Sequence, residues 1–303
     1  MTDAIETIGR SQVQHGFGND RVYLMKLAQD EAPEIVDALD QLVRARGYSK
    51  IFAKIPARVA GLFVTAGYRM EAAIPGFFPD GGSAYFMAKY FSEERSREHQ
   101  PQLVQDVLAA AGARRPVATP SPLPAGFAAR LAVEADAVQM AALYREVFAS
   151  YPFPIGDPAF LRESMRGSTV YFGVWHGEKM VALSSSEIDY GSGSAEMTDF
   201  ATLPDFRGHG LALNLLQQME GAMQASGINS LFTIARAYSF GMNVTFARSG
   251  YRFGGTLTNN TNIFGSLESM NVWHKAAEAS DEPCPEVVRA ATTGGHRELP
   301  VRP

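Results

Sequence analysis

Apolar positions along the chain switch repeatedly between the two-residue alternation of half-buried strands and the three-to-four spacing of helices. Residues 21–27 (RVYLMKL) and 50–55 (KIFAKI) read as strands with a helix through 31–46 between them; a short helix at 56–66 precedes strands at 68–75 and 84–91. A second series opens with a strand at 127–133, a helix around 136–149 bearing Val138, Ala142, Leu143, Val147 and Phe148, and a helix at 157–166. Three consecutive strands follow at 169–176, 179–189 and 194–203. Then come a glycine turn, a helix at 211–225, a strand at 231–237, a helix near 239–248 and strands near 251–258 and 269–275. This order predicts an α/β (α+β) protein with an antiparallel meander ahead of the glycine turn.

The 32 aromatic residues all lie in 1–91 or 126–275. The two aromatic-free gaps are expected to lie outside the core. The first, 92–125, holds an Ala-rich helical stretch and ends in RRPVATPSPLPAG, the composition of a linker. The second, the polar 277–303, reads as a disordered tail. Two globular blocks are therefore expected, 1–91 and 126–276. Between them runs a faint repeat: Phe63, Gly67, Tyr68 and Arg69 match Phe246, Gly250, Tyr251 and Arg252, and each copy precedes a strand pair ending in a lysine, Lys89 or Lys275. Either this is coincidence in a common helix-end turn, or the first block is a partial copy of the second.

Composition narrows the function. A net charge of −5 over 303 residues argues against a polyanion such as nucleic acid as the main partner. The one cysteine, Cys284, excludes an intramolecular disulfide framework and points to a reducing compartment. Six scattered histidines lack metal-binding spacing, so no metal is expected. Without a basic-then-apolar leader or an apolar run long enough to span a bilayer, the expectation is a cytoplasmic protein away from membranes.

The most informative segment is EMTDFATLPDFRGHGLA, 196–212, which runs strand, turn, helix. Gly208, Gly210 and Ala212 would let backbone N–H groups approach a pyrophosphate at the positive end of the following helix. No GxxxxGK[ST] string occurs, and a GxGxxG dinucleotide fingerprint fails at Leu213. Arg207 to Ala212 satisfies every position of the [QR]xxGx[GA] loop of acetyl-CoA-dependent N-acyltransferases.

In this segment and in its order of elements, the chain resembles the GNAT superfamily of N-acetyltransferases. The runs IETIGRSQVQHGFGNDRVYLMKL, GYSKIFAKIPA, EAAIPGFF, GMNVTFARSGYRFGGTLTNNTNI and ESMNVWHK narrow the resemblance to the β-lysine N-acetyltransferases, over most of 5–91 and 125–275. The resemblance implies a GNAT fold, a mixed sheet flanked by helices, preceded by a smaller partial GNAT-like domain. It implies acetyl transfer from acetyl-CoA to the ε-amine of β-lysine, giving a compatible solute. It also implies a cofactor site of Ala201, Thr202 and Leu203 on the strand, Arg207, Gly208, His209, Gly210, Leu211 and Ala212 in the loop, and Ser239 and Phe246 where the family often has Asn and Tyr.

The chemistry needs a proton acceptor. A primary ammonium with a pKa of about 10.4 is deprotonated at pH 7 only at a cost of roughly 4.6 kcal/mol. Glu196 holds the position of the base in some relatives and reads either as that base or as a solvated strand carboxylate; Asp199 is its rival, and alternation places the two on opposite faces. Tyr238 is a candidate proton donor to the leaving thiolate. For the substrate carboxylate and second amine the candidates are Arg145, with Arg162 and Arg166 behind it, and the cluster Asn259, Asn260 and Asn262. The N-terminal block is expected to cover the substrate or to form a homodimer contact. Two other readings stand beside this one: a catalytically silent acyl-CoA-binding protein, motivated by Ser239 and Phe246, and an NADP-binding oxidoreductase with Arg236 at the 2′-phosphate.

Overall fold

The computed structural model describes residues 3–117, 122–149, 151, 153–263 and 265–276. The N-terminal half runs β1 (Ala4–Ile8), β2 (Ser11–Gly16), β3 (Arg21–Lys26), α1 (Ala32–Arg46), β4 (Lys50–Pro56), α2 (Ala60–Thr65), β5 (Arg69–Ile74) and β6 (Ala84–Tyr90). After α3 (Pro101–Gly112), the C-terminal half runs β7 (Phe127–Leu131), α4 (Ala137–Val147), α5 (Pro158–Arg166), β8 (Thr169–His176), β9 (Lys179–Asp189) and β10 (Ser194–Thr202). It finishes with α6 (Leu211–Ala225), β11 (Ser230–Arg236), α7 (Phe240–Arg248), β12 (Arg252–Ile263) and β13 (Ser266–Ala276).

Helix spacing explains how these elements seat. In α1, Ile35, Val36, Leu39 and Val43 form one buried face, and Gly47 closes the helix in the left-handed conformation at φ 72°. In α6, Leu215, Leu216, Met219 and Met223 do the same against the sheet.

All strands join one sheet in the order β1-β2-β3-β4-β6-β5-β12-β13-β11-β10-β9-β8-β7. The two halves repeat one topology about the β5–β12 junction. Strands β1 to β3 form an antiparallel meander, β3 pairs parallel to β4, and β4 pairs antiparallel to β6. In the same way β8 to β10 form a meander, β10 pairs parallel to β11, and β11 pairs antiparallel to β13. The matched residues make matched contacts. Phe63 and Tyr68 meet edge to face with centroids 5.1 Å apart, as do Phe246 and Tyr251 at 5.1 Å. Lys89 reaches Asp40 on α1, and Lys275 reaches Glu220 on α6 at 2.9 Å. The residues of the short repeat thus occupy matching places in two halves that share one strand topology.

The junction itself is a single paired position, Gly255 with Ala72. Around it the sheet is strongly curled: Lys26 on β3 lies 3.8 Å from Asp189 on β9, although seven strands separate these two in sheet order. An apolar cluster that includes Phe52, Phe86, Phe232, Leu257 and Val272 fills the fold between the halves.

Two expectations need correction. The segment 92–125 is not simply a tether, because α3 buries Val104, Val107 and Ala111 and packs on α7, while Val117 N donates to the Arg248 carbonyl at 2.7 Å. Lack of aromatics misled here, since valine and alanine suffice for a helix face. The polar run at 259–262 is not a connection between strands but part of β12, where the β12–β13 register shifts between Leu257 and Thr261. The expected tail at 277–303 lies outside the described residues.

Candidate active site

The parallel pairing of β10 with β11 covers only Ser194–Glu196 against Ser230–Phe232, although the strands run on to Thr202 and Arg236. Past Glu196 they diverge, leaving the facing edge of β10 without strand partners. Ala201 and Leu203 bury their side chains in the core, so this edge offers backbone groups to a ligand. At the open end, Gly208 and Gly210 take φ 82° and 74°, and α6 starts at Leu211 with no side-chain cap. Its first N–H groups are therefore available to an anion. Arg207 Nε donates to the Thr202 carbonyl at 3.3 Å, and the exposed His209 packs on Phe127 with centroids 5.6 Å apart. Replacing Gly210 by alanine forces a Cβ into the left-handed region at roughly 1–2 kcal/mol. Expected is about a tenfold rise in the Kd for acetyl-CoA, read by titration, with thermal stability lowered only slightly.

At the closed end of the splay, a cavity of about 400 Å³ is lined from both halves. Glu196 is the last paired residue there and stands directly across β9–β10 from Glu187, so both carboxyls share a face. Asp199 joins them. Thr198 pairs with Ser185 and Ala201 with Leu183, so Asp199 and Phe200 together stand opposite one residue, and Asp199 adopts φ 56°. Strict alternation would place Glu196 and Asp199 on opposite faces; the bulge inserts one residue and brings both to the cavity. Asp199 accepts from Ser185 Oγ at 2.6 Å and from the Tyr151 hydroxyl.

Burial raises the pKa of Glu196, and the charge of Asp199 adds to that rise; Lys54 and the amide of Ile234 oppose it. Glu187 is raised too, by desolvation and then by Asp199 and Glu196, although its side chain is exposed at the cavity wall. Asp199 is raised by burial, against the hydrogen bonds from Ser185 and Tyr151. Lys54, on β4 of the N-terminal half, is pulled down by burial and held up by Glu196 and Asp189. It stands over the rings of Phe77 and Phe232 at 5.6 and 5.3 Å. Crowding these carboxylates into one cavity beside Lys54 pushes their pKa values up towards neutrality, which suits proton exchange with a cationic ligand.

Other expected residues fall elsewhere. Arg145 donates to the Gly156 carbonyl, Arg166 pairs with Glu134, and Arg162 reaches the Glu134 carbonyl at 3.3 Å; none of the three lines the cavity. Asn259 donates to the carbonyls of Arg95 and Arg97, and Asn262 to that of Gly18 at 2.8 Å, so both fasten segments of the fold together. Asn260 does line the cavity. Tyr238 donates to Glu98, which removes it from the thiolate, and Arg236 is held by Glu268 at 2.9 and 2.8 Å, which engages the group the NADP reading needs. Ser239 precedes α7 without capping it, and Phe246 is buried against Phe200 and Tyr251 while its edge reaches the cavity. Sequence reading missed Lys54, Tyr23 and Glu187; for Lys54 and Glu187 the one signal was a charged residue inside an otherwise apolar or small-residue strand, as in KIFAKIP and ALSSSEID.

A splayed parallel strand pair leading through a glycine loop to an uncapped helix is the architecture of an acyl-CoA N-acyltransferase. The profile of the Acetyltransferase (GNAT) family matches residues 139–250. The chain is 37% identical over 276 residues to a β-lysine N(6)-acetyltransferase of Methanococcus maripaludis, covering 91% of this chain and 100% of that one. It is 36% identical to N-acetyltransferase YodP of Bacillus subtilis, over 91% of this chain and 99% of that one. A β-lysine N(6)-acetyltransferase of Methanosarcina mazei is 38% identical over 50% of this chain and 56% of its own. The chain belongs to the GNAT acetyltransferase family, and it is an acyltransferase of the kind that uses acetyl-CoA. No helix among the described residues is long and apolar enough to cross a membrane.

Proposed function

We propose that the protein transfers acetyl from acetyl-CoA to the N6 amine of β-lysine, forming N6-acetyl-β-lysine, a compatible solute, in the cytoplasm. The observation that carries this reading is the place of Glu196: it is the last paired residue at the strand splay, and its carboxyl lines a cavity shared by both halves. The pantetheine arm would lie along the free edge of β10, its pyrophosphate at Gly208 to Ala212, and its thioester at the crotch beside Glu196. The ammonium substrate is drawn to the acids, and Glu196 takes its proton. The amine nitrogen then attacks the thioester carbonyl carbon, a backbone N–H of the splay stabilises the oxygen, and the C–S bond breaks to release CoA. Phe246 offers no hydroxyl, so the thiolate takes its proton from water.

Transfer is direct, within a ternary complex. Cys284, which lies outside the described residues, has no part in it, and Cys284→Ala is expected to leave kcat unchanged. The deciding experiment monitors free CoA from acetyl-CoA with β-lysine, α-lysine or ornithine added. Release that depends on β-lysine, with the acetyl group found on N6, is the expected result. A flat trace with all three amines would favour the silent acyl-CoA-binding alternative that Ser239 and Phe246 motivate.

A further inference from the structure

Apart from the acids and Lys54, the cavity holds a second charged group whose situation is unlike theirs. Arg21, on β3, is 6% exposed and lines the cavity. Among the described residues its guanidinium hydrogen-bonds through Nη1, to the Asn260 carbonyl and, at 3.2 Å, to Thr261 Oγ1, while Nε is buried with no partner. No carboxylate among the described residues is hydrogen-bonded to it, and Asp3 acts on it only at longer range. Other buried cations of this fold do have acids, Lys50 with Glu71 at 3.0 Å and Arg95 with Asp20 at 3.3 Å. Beside Arg21, the buried amide nitrogen of Gln14 is also without a partner, and Gln14 too lines the cavity.

A desolvated guanidinium without a counter-ion is costly to keep, and its vacant Nε–Nη2 edge has the fork geometry that binds a carboxylate through two parallel hydrogen bonds. Arg21 and Glu196 line the same cavity from opposite halves, so one acceptor can present its amine to the acids and its carboxylate to Arg21.

We propose that Arg21, assisted by Gln14, is the carboxylate subsite of the acceptor, so that the N-terminal half selects amino acids over plain diamines. This rests on the acetyl-transfer reading above. CoA release is measured with β-lysine and with 1,4-diaminopentane, the same chain without its carboxylate, for the wild type, Arg21→Gln and Gln14→Leu. The wild type is expected to prefer β-lysine in kcat/KM on the order of 100-fold. Arg21→Gln should lose most of that preference through a raised KM for β-lysine, with the diamine rate unchanged. Equal use of both amines by the wild type, or an unaltered ratio in Arg21→Gln, overturns the subsite and leaves acetyl transfer standing. Turnover of neither amine by the wild type overturns the acetyl-transfer reading and the subsite with it. If Arg21→Gln no longer binds acetyl-CoA, its fold is lost, and Gln14→Leu decides: a selective fall of about tenfold on β-lysine supports the subsite, and no fall refutes it.

Discussion

Glu196→Gln is expected to lower kcat with β-lysine by roughly 10²- to 10³-fold at pH 7 while leaving acetyl-CoA binding intact. The sign of the pH dependence comes from the two protonation equilibria. Burial and Asp199 raise the Glu196 pKa, so the wild type gains activity as pH rises through neutrality and the carboxyl becomes the free base. The glutamine variant has no such base and depends on amine already deprotonated in solution, a fraction that grows tenfold per pH unit up to the amine pKa of about 10.4. The gap between the two should therefore narrow steadily from pH 7 to pH 9. Parallel pH profiles would remove Glu196 from the base role and turn attention to Asp199.

For Gly255→Val we expect a loss of about 4 kcal/mol or more, with a correspondingly lower urea midpoint. Gly255 has φ 142°, and a Cβ there would stand 2.1 Å from the Glu71 carbonyl oxygen and 2.6 Å from the Ala72 Cα. Those neighbours are backbone at the one paired position where the two half-sheets meet, so no side chain can swing aside. Activity should fall with stability because the cavity takes walls from both halves. Gly221→Ala is the control: a Cβ on this residue of α6 meets nothing within 4 Å, and helix propensity predicts a gain of up to about 1 kcal/mol. A Gly255→Val protein as stable as the wild type would mean that the junction yields more easily than its packing indicates.

Local pattern made much of this molecule legible. Period-two and period-3.6 spacing located most strands and helices from β3 onward, and Gly208 and Gly210 identified the loop because a left-handed turn before a helix has few other solutions. The hairpin of β1 and β2 was missed, since IETI and SQVQHG carry too little apolar contrast for a strand reading. What local pattern cannot contain is the curl of the sheet. Nothing in 21–26 or 50–56 announces that Arg21 and Lys54 will line the same cavity as Glu187 and Glu196. The bulge was equally hidden, because one inserted residue at Asp199 reverses the face of the positions beyond it while leaving the composition unchanged. The asparagines of β12 were misread for a related reason: their polarity serves carbonyls of distant segments, which only the assembled fold supplies.

The shared topology of the two halves also bears on how selectivity can change. The C-terminal half carries the glycine loop and the strand splay, whereas β3 and β4 of the N-terminal half, paired from Arg21–Lys50 through Leu24–Ala53, bring side chains to the cavity. With Arg21 as the carboxylate subsite proposed above, donor handling and part of acceptor choice would sit in separate halves of one continuous sheet, and variation confined to the cavity-facing positions of β2, β3 and β4 would retune which amine is accepted without touching the thioester slot. Such a library should yield new acceptor ranges at nearly constant affinity for acetyl-CoA.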